Sequence, residues 1–183
     1  MPAVRSKQVP ADDRAAVHAL HYAASILVLD RMNTHFVNKR LAHLLGYAGL
    51  APFVLLTLGA WAVHSDWLAY FIRGQLAYGI AILSFLGGIH WGAVMMSGEL
   101  TMDQTRKALV WSVLPSLIAW FSTMMGGFGF AMLMAGFIAA YQVDKRLFAW
   151  YRFEPWFLQL RLKLTIVVVV MLMLTVIAAN VKG

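Results

Sequence analysis

The sequence predicts an all-α membrane protein, a polytopic bundle of five transmembrane helices preceded by an amphipathic helix lying in the interface. Three observations predict it. Of 183 residues, 61% are hydrophobic and 13% charged, with a mean hydropathy of +0.71, an apolar excess over the roughly half that is usual in soluble domains. Uncharged runs reach the ~20 residues that a helix needs to cross about 30 Å of hydrocarbon. Lys and Arg collect at the ends of those runs, and lipid allows a backbone to span only as helices or closed barrels.

Residues 1–40 read as a cytoplasmic segment. Asp12 or Asp13 can cap a helix reaching Arg31, in which Val17, Leu20, Ala24, Leu27 and Val28 recur at helical spacing. This helix is too short and too polar to cross, so it is expected on the inner surface. His18 and His21 share one face, but two ligands make a poor metal site, and no metal is predicted. The two aspartates also argue against a transit peptide, and the segment is expected to be retained.

Residues 41–183 form the membrane domain, with spans at about 44–63, 75–96, 108–125, 128–143 and 164–181. Leu44 to Val63, Gln75 to Met96 and Leu164 to Val181 are each free of charge and long enough for one crossing. Ala108 to Val143 is also free of charge, and as one helix it would reach about 54 Å at 1.5 Å per residue. Gly126, Gly127 and Gly129 at its middle permit a reversal, so it is read as a helical hairpin.

Charge tests that division independently. With five spans, thirteen Lys and Arg fall on one side and two, Arg73 and Lys182, on the other. A single crossing of the long run would give nine against six. Basic residues in short loops accumulate on the cytoplasmic side, which places the N-terminus inside and the C-terminus outside. The expected location is a bacterial inner membrane with a periplasmic C-terminus; the mitochondrial inner membrane is the alternative.

The net charge of +7 suggests anionic lipid rather than nucleic acid, because the cations sit at span ends. The absence of cysteine excludes disulfides, thiolate nucleophiles and cysteine-ligated clusters. No P-loop, nucleophile elbow or zinc-protease helix occurs, so no catalytic residue is predicted and an enzyme is not expected.

The stretch SFLGGIHWGAVMM carries the local signals. Ser84, Gly88 and Gly92 fall four apart, a narrow face on which a neighbouring helix can pack closely. His90 points elsewhere, and an ionisable residue at membrane depth calls for a partner. Pro52 and Pro115 are placed at a similar distance from the inner surface and free backbone carbonyls. A polar cluster of His90, Trp91, Ser112, Pro115, Ser116, Tyr141 and Gln142 is therefore expected. No carboxylate is expected inside a span, since Asp66, Glu99 and Asp144 sit at span ends. The fourth loop interleaves Arg146, Arg152 and Arg161 with Trp150 and Trp156, an interfacial pattern suited to lipid or a partner.

LGYAGLAPF, YGIAILSFLGGIHWG, LPSLIAW and the D-K-R run followed by W-x-x-x-x-L-R-L-x-L-T resemble the domain of unknown function three-four-two-nine. This is a family of small inner-membrane proteins similar to the mitochondrial transmembrane protein 69. The resemblance covers about residues 41 to 181 and implies a polytopic helical inner-membrane protein; it supplies no reaction, ligand or catalytic residue to carry over. Gly87, Gly88, His90, Trp91, Pro115, Trp120, Arg161 and Thr165 match its motifs. The expected function is that of a non-enzymatic accessory subunit or assembly factor of a larger membrane complex. The alternative is a small-ligand-binding protein using a pocket at His90. No cofactor is predicted under the first reading, and quinone, haem or a solute is the guest under the second.

Overall fold

The computed structural model describes residues 39–182. The amphipathic helix expected between Asp12 and Arg31 lies outside the described residues. Compactness divides the chain into residues 1–45 and 46–183. In the first unit the described residues, 39–45, are helical, and His43 Nδ1 bonds the Lys39 carbonyl one turn back at 2.8 Å.

The second unit contains five α-helices: α1 (Ala51–Ala62), α2 (Ser65–Met96), α3 (Met102–Ser122), α4 (Gly129–Trp150) and α5 (Pro155–Lys182). No strand occurs among the described residues. Each helix start has a local cause. Pro52 occupies the first turn of α1, where its missing N–H costs nothing. Thr101 and Gln104 form a reciprocal capping box on α3. Pro155 opens α5. The predicted hairpin is present. α3 stops at Ser122, Gly126 adopts φ +53°, a 3-10 turn runs Gly126–Phe128, and α4 begins at Gly129. A Cβ on Gly129 would meet the Ser122 carbonyl oxygen at 2.5 Å, so a larger residue could not turn there.

Four helices are long and apolar enough to cross a membrane: Lys39–Ala62, Ser65–Met96, Gly126–Trp150 and Pro155–Lys182. All four extend past their expected spans, the first by five residues before Leu44. α2 begins ten residues before Gln75, α4 continues past Val143, and α5 begins nine residues before Leu164. The fifth expected span, residues 108–125, corresponds to α3, which falls short of the other four. Its first turns carry Asp103, Arg106 and Lys107, leaving an uncharged helical stretch of about 22 Å.

The core is a continuous cluster in which Phe53, Leu83, Leu133, Phe137 and Leu172 are sealed from the outside. Glycine sets its closest approaches. A Cβ on Gly87 of α2 would sit 2.2 Å from the Ser112 carbonyl oxygen of α3, and one on Gly136 of α4 would sit 2.6 Å from Leu83. At the opposite end, Lys182 Nζ donates to the carbonyls of Ala60, Trp61 and Val63, capping the end of α1.

These contacts revise the expected packing face. Ser84 is half-buried, while Gly88 and Gly92 are exposed, with nothing among the described residues within 4 Å of a Cβ added to either. Among the described residues the close approach belongs to Gly87, one position round the helix.

Candidate functional site

His90, Asp144 and Arg161 come from α2, α4 and α5 and meet at one end of the bundle. Each lies six residues inside its helix end, at Met96, Trp150 and Pro155 respectively. That is about 9 Å of helical rise in every case. All three are buried, at 1%, 2% and 5% exposure. Arg161 donates from Nε at 2.8 Å and from Nη2 at 2.7 Å to Asp144 Oδ2, and His90 Nε2 meets Asp144 Oδ1 at 2.9 Å.

The chemistry of the cluster follows from its donors. A carboxylate paired with guanidinium is an acceptor, so the proton on the His90 contact belongs to Nε2. In a neutral ring that leaves Nδ1 with a bare lone pair, and Nδ1 is buried with no hydrogen-bond partner among the described residues. Phe148 and Tyr151 flank the imidazole at centroid distances of 5.5 and 5.9 Å. The Tyr151 hydroxyl and, one turn beyond Arg161, the Thr165 hydroxyl are also buried and unpartnered. Tyr151 lies just beyond α4, and its phenol is pushed up to about 12, first by desolvation and second by the Asp144 charge. The arrangement can hold a proton acceptor, the imidazole nitrogen, beside the Tyr151 ring and an internally neutralised ion pair.

The expected partners of His90 are arranged differently. Ser112 donates to Leu109 O within its own helix at 2.6 Å. Pro115 is buried on the Gly87 side of α3, where its Cδ lies 3.5 Å from a Cβ built on that glycine. Ser116 is half-buried, Gln142 is exposed, and Trp91 is 49% exposed. Tyr141 carries Lys145 Nζ 5.3 Å from its ring centroid. Nor does Pro52 share the depth of His90. The Gly49 carbonyl beside the Pro52 break accepts from Tyr78 OH at 2.9 Å, and Tyr78 lies twelve residues, about 18 Å, from His90 along α2.

Two expectations are overturned. Asp144 is not a span-end acid but the buried centre of the cluster, and Arg161 is not an interfacial contact but its counter-ion. The reason is mutual neutralisation: paired charges with hydrogen bonds can enter an apolar interior that a single charge cannot. The remaining members of the basic-aromatic group stay near the surface. Arg146 is exposed, Trp150 half-buried, Arg152 pairs with Glu99 at 3.0 Å, and Trp156 packs edge-on against Phe157. A signal for Asp144 existed in the spacing: Ala140, Asp144, Leu147 and Phe148 follow at i, i+4, i+7 and i+8, one buried stripe of α4.

A second polar layer has no charged member, so no charge in the sequence marks it. Gln75 Nε2 donates to Thr57 Oγ1 at 3.1 Å, Thr57 and Thr175 hydroxyls meet at 3.1 Å, and Thr175 also donates to the Met171 carbonyl. These bonds tie α1, α2 and α5 together, with all three side chains buried. No group of three or more metal-ligating side chains occurs among the described residues.

Fold and site together define a multi-pass helical membrane protein whose helices are clamped near one end by a buried ion cluster. Residues 38–177 match the model of the family described as Protein of unknown function (DUF3429), and the chain belongs to that family. It is also similar to Transmembrane protein 69 of Xenopus tropicalis, 35% identical over 82 residues, covering 44% of this chain and 31% of that protein. The chain thus aligns with less than a third of that relative's length. No solved structure matches it.

Proposed function

We propose that the protein works by contact, as a non-enzymatic accessory subunit or assembly factor of a larger inner-membrane complex. One observation carries this reading: the glycines of the outward face of α2. Glycine inside a helix costs about 1 kcal/mol relative to alanine. Gly87 offsets that by close packing on α3, whereas Gly88 and Gly92 have nothing within 4 Å of an added Cβ among the described residues. With Ala77 and Ala81 exposed above them, they make a narrow strip suited to a helix of another subunit.

Five crossings fit this reading. Arg152 and Glu99 bring the ends of α4 and α2 together, and Gly129 lies against Ser122. α3 therefore runs the length of the bundle between α2 and α4, and its charged first turn falls at the headgroups. Of the nine Lys and Arg in residues 46–182, Arg106, Lys107, Lys145, Arg146, Arg152, Arg161 and Lys163 belong to the end that carries the cluster. That asymmetry supports a cytoplasmic placement of this end, next to anionic lipid.

Purification in mild detergent tests the proposal. A co-purifying membrane subunit is expected, lost on Gly88→Leu or Gly92→Leu while the variant itself stays folded. A lone monomer, or a complex indifferent to both substitutions, refutes it.

The unpartnered Nδ1 of His90 favours a second reading, a small guest such as a quinone, a haem or a solute held beside the cluster. An absorbance spectrum and lipid extraction of the purified protein test it. His90→Phe that leaves bound material unchanged removes it.

A further inference from the structure

At the start of α5, Phe153, Glu154, Trp156 and Phe157 line a cavity of 240 Å³. The ring of Phe157 stands at 76° to Phe153, 5.6 Å away, and at 85° to Trp156, 5.7 Å away. Two steep ring junctions give the cavity aromatic walls in different planes. Among the described residues Glu154 is the one acid in its lining, exposed and without an ion-pair partner. The cation nearest in sequence is engaged elsewhere. Arg152 adopts a left-handed backbone, φ 55°, and its guanidinium is held by Glu99 at 3.0 Å, a conformation that costs a non-glycine residue about 1–2 kcal/mol.

An interfacial anchor needs aromatic rings only. Rings around an unpaired carboxylate have a different complement, an organic cation that the ring faces and the acid attract together. Depth narrows the source. Arg161 lies six residues inward from Pro155, about 9 Å, so with the basic end at the membrane surface, as proposed above, the cavity falls at headgroup level. We propose that it binds the ammonium group of a zwitterionic phospholipid. Trp156 and Phe157 supply ring faces, and Glu154 supplies the counter-charge.

The full chain, purified in detergent, is titrated with phosphatidylcholine, phosphatidylethanolamine and phosphatidylglycerol, and retained lipid is read by native mass spectrometry. The two ammonium lipids should be retained in preference to phosphatidylglycerol. Glu154→Gln and Trp156→Leu should each weaken that retention by about three- to thirtyfold, the range of a partly desolvated cation–aromatic contact. Both positions lie outside the buried core, and helicity by circular dichroism verifies folding. Arg152→Gln, which removes a neighbouring cation, should leave the preference intact. Equal retention of the three lipids overturns the proposal, as does a preference that survives both substitutions in folded protein. Tetramethylammonium ion binding as tightly as the lipids would overturn the lipid as the source.

Discussion

Replacing Asp144 by Asn tests the clamp directly, because the substitution keeps the volume and removes only the charge. Arg161 then keeps its guanidinium 5% exposed with no anion, and His90 loses the acceptor of its Nε2–H or must share a neutral amide. Removing one partner of a buried ion pair costs about 3–5 kcal/mol, because the other charge is left uncompensated. At ~2–4 °C per kcal/mol for a chain of this size, the melting temperature should fall by roughly 6–20 °C. Thermal unfolding of detergent-purified protein, followed by circular dichroism, measures it. The double variant Asp144→Asn with Arg161→Gln should be more stable than Asp144→Asn alone, since the orphaned charge is gone. A fall below about 1 kcal/mol in the single variant, or simple additivity in the double, would refute the clamp.

Gly87→Ala should destabilise sharply, since its Cβ would sit 2.2 Å from the Ser112 carbonyl, whereas Gly88→Ala should stabilise the isolated chain by up to about 1 kcal/mol. Equal effects in a melting experiment would contradict the assignment of faces. Tyr151 holds its proton in the folded protein to about 12 but in the unfolded chain only to 10.0, so the folded state binds more protons between these values and stability must fall as pH rises through that window. An absorbance titration that shows all tyrosines ionising together near pH 10 would disprove this burial. Gln75→Leu should cost about 1 kcal/mol or less, because the bond to Thr57 is lost but the unpartnered Gln75 Oε1 is removed with it. A loss above about 3 kcal/mol would show that the amide carries more than these bonds.

Much of the fold was legible from residues alone. Runs without charge located four of the helices, and the glycine cluster at 126–129 divided the long run where the chain in fact turns. Helix ends were less legible, because a run was closed at the first charge. Lys163 closed the last span nine residues late and Asp144 closed the fourth early, although both helices continue. His90 was legible as a buried side chain in need of a partner, but the partner was not, since Asp144 lies 54 residues away and stands beside Lys145 and Arg146 in a run that reads as loop.

The sequence by itself determined the class of structure, for hydropathy over twenty residues and the placement of lysine and arginine are local sums that the bilayer reads directly. It also determined that α2 would carry a narrow face of small residues. Only the tertiary structure decided which glycine touches a neighbour and which charges are inside. Burial of a charge depends on an opposite charge supplied by another helix, and that pairing exists only once α2, α4 and α5 are packed together.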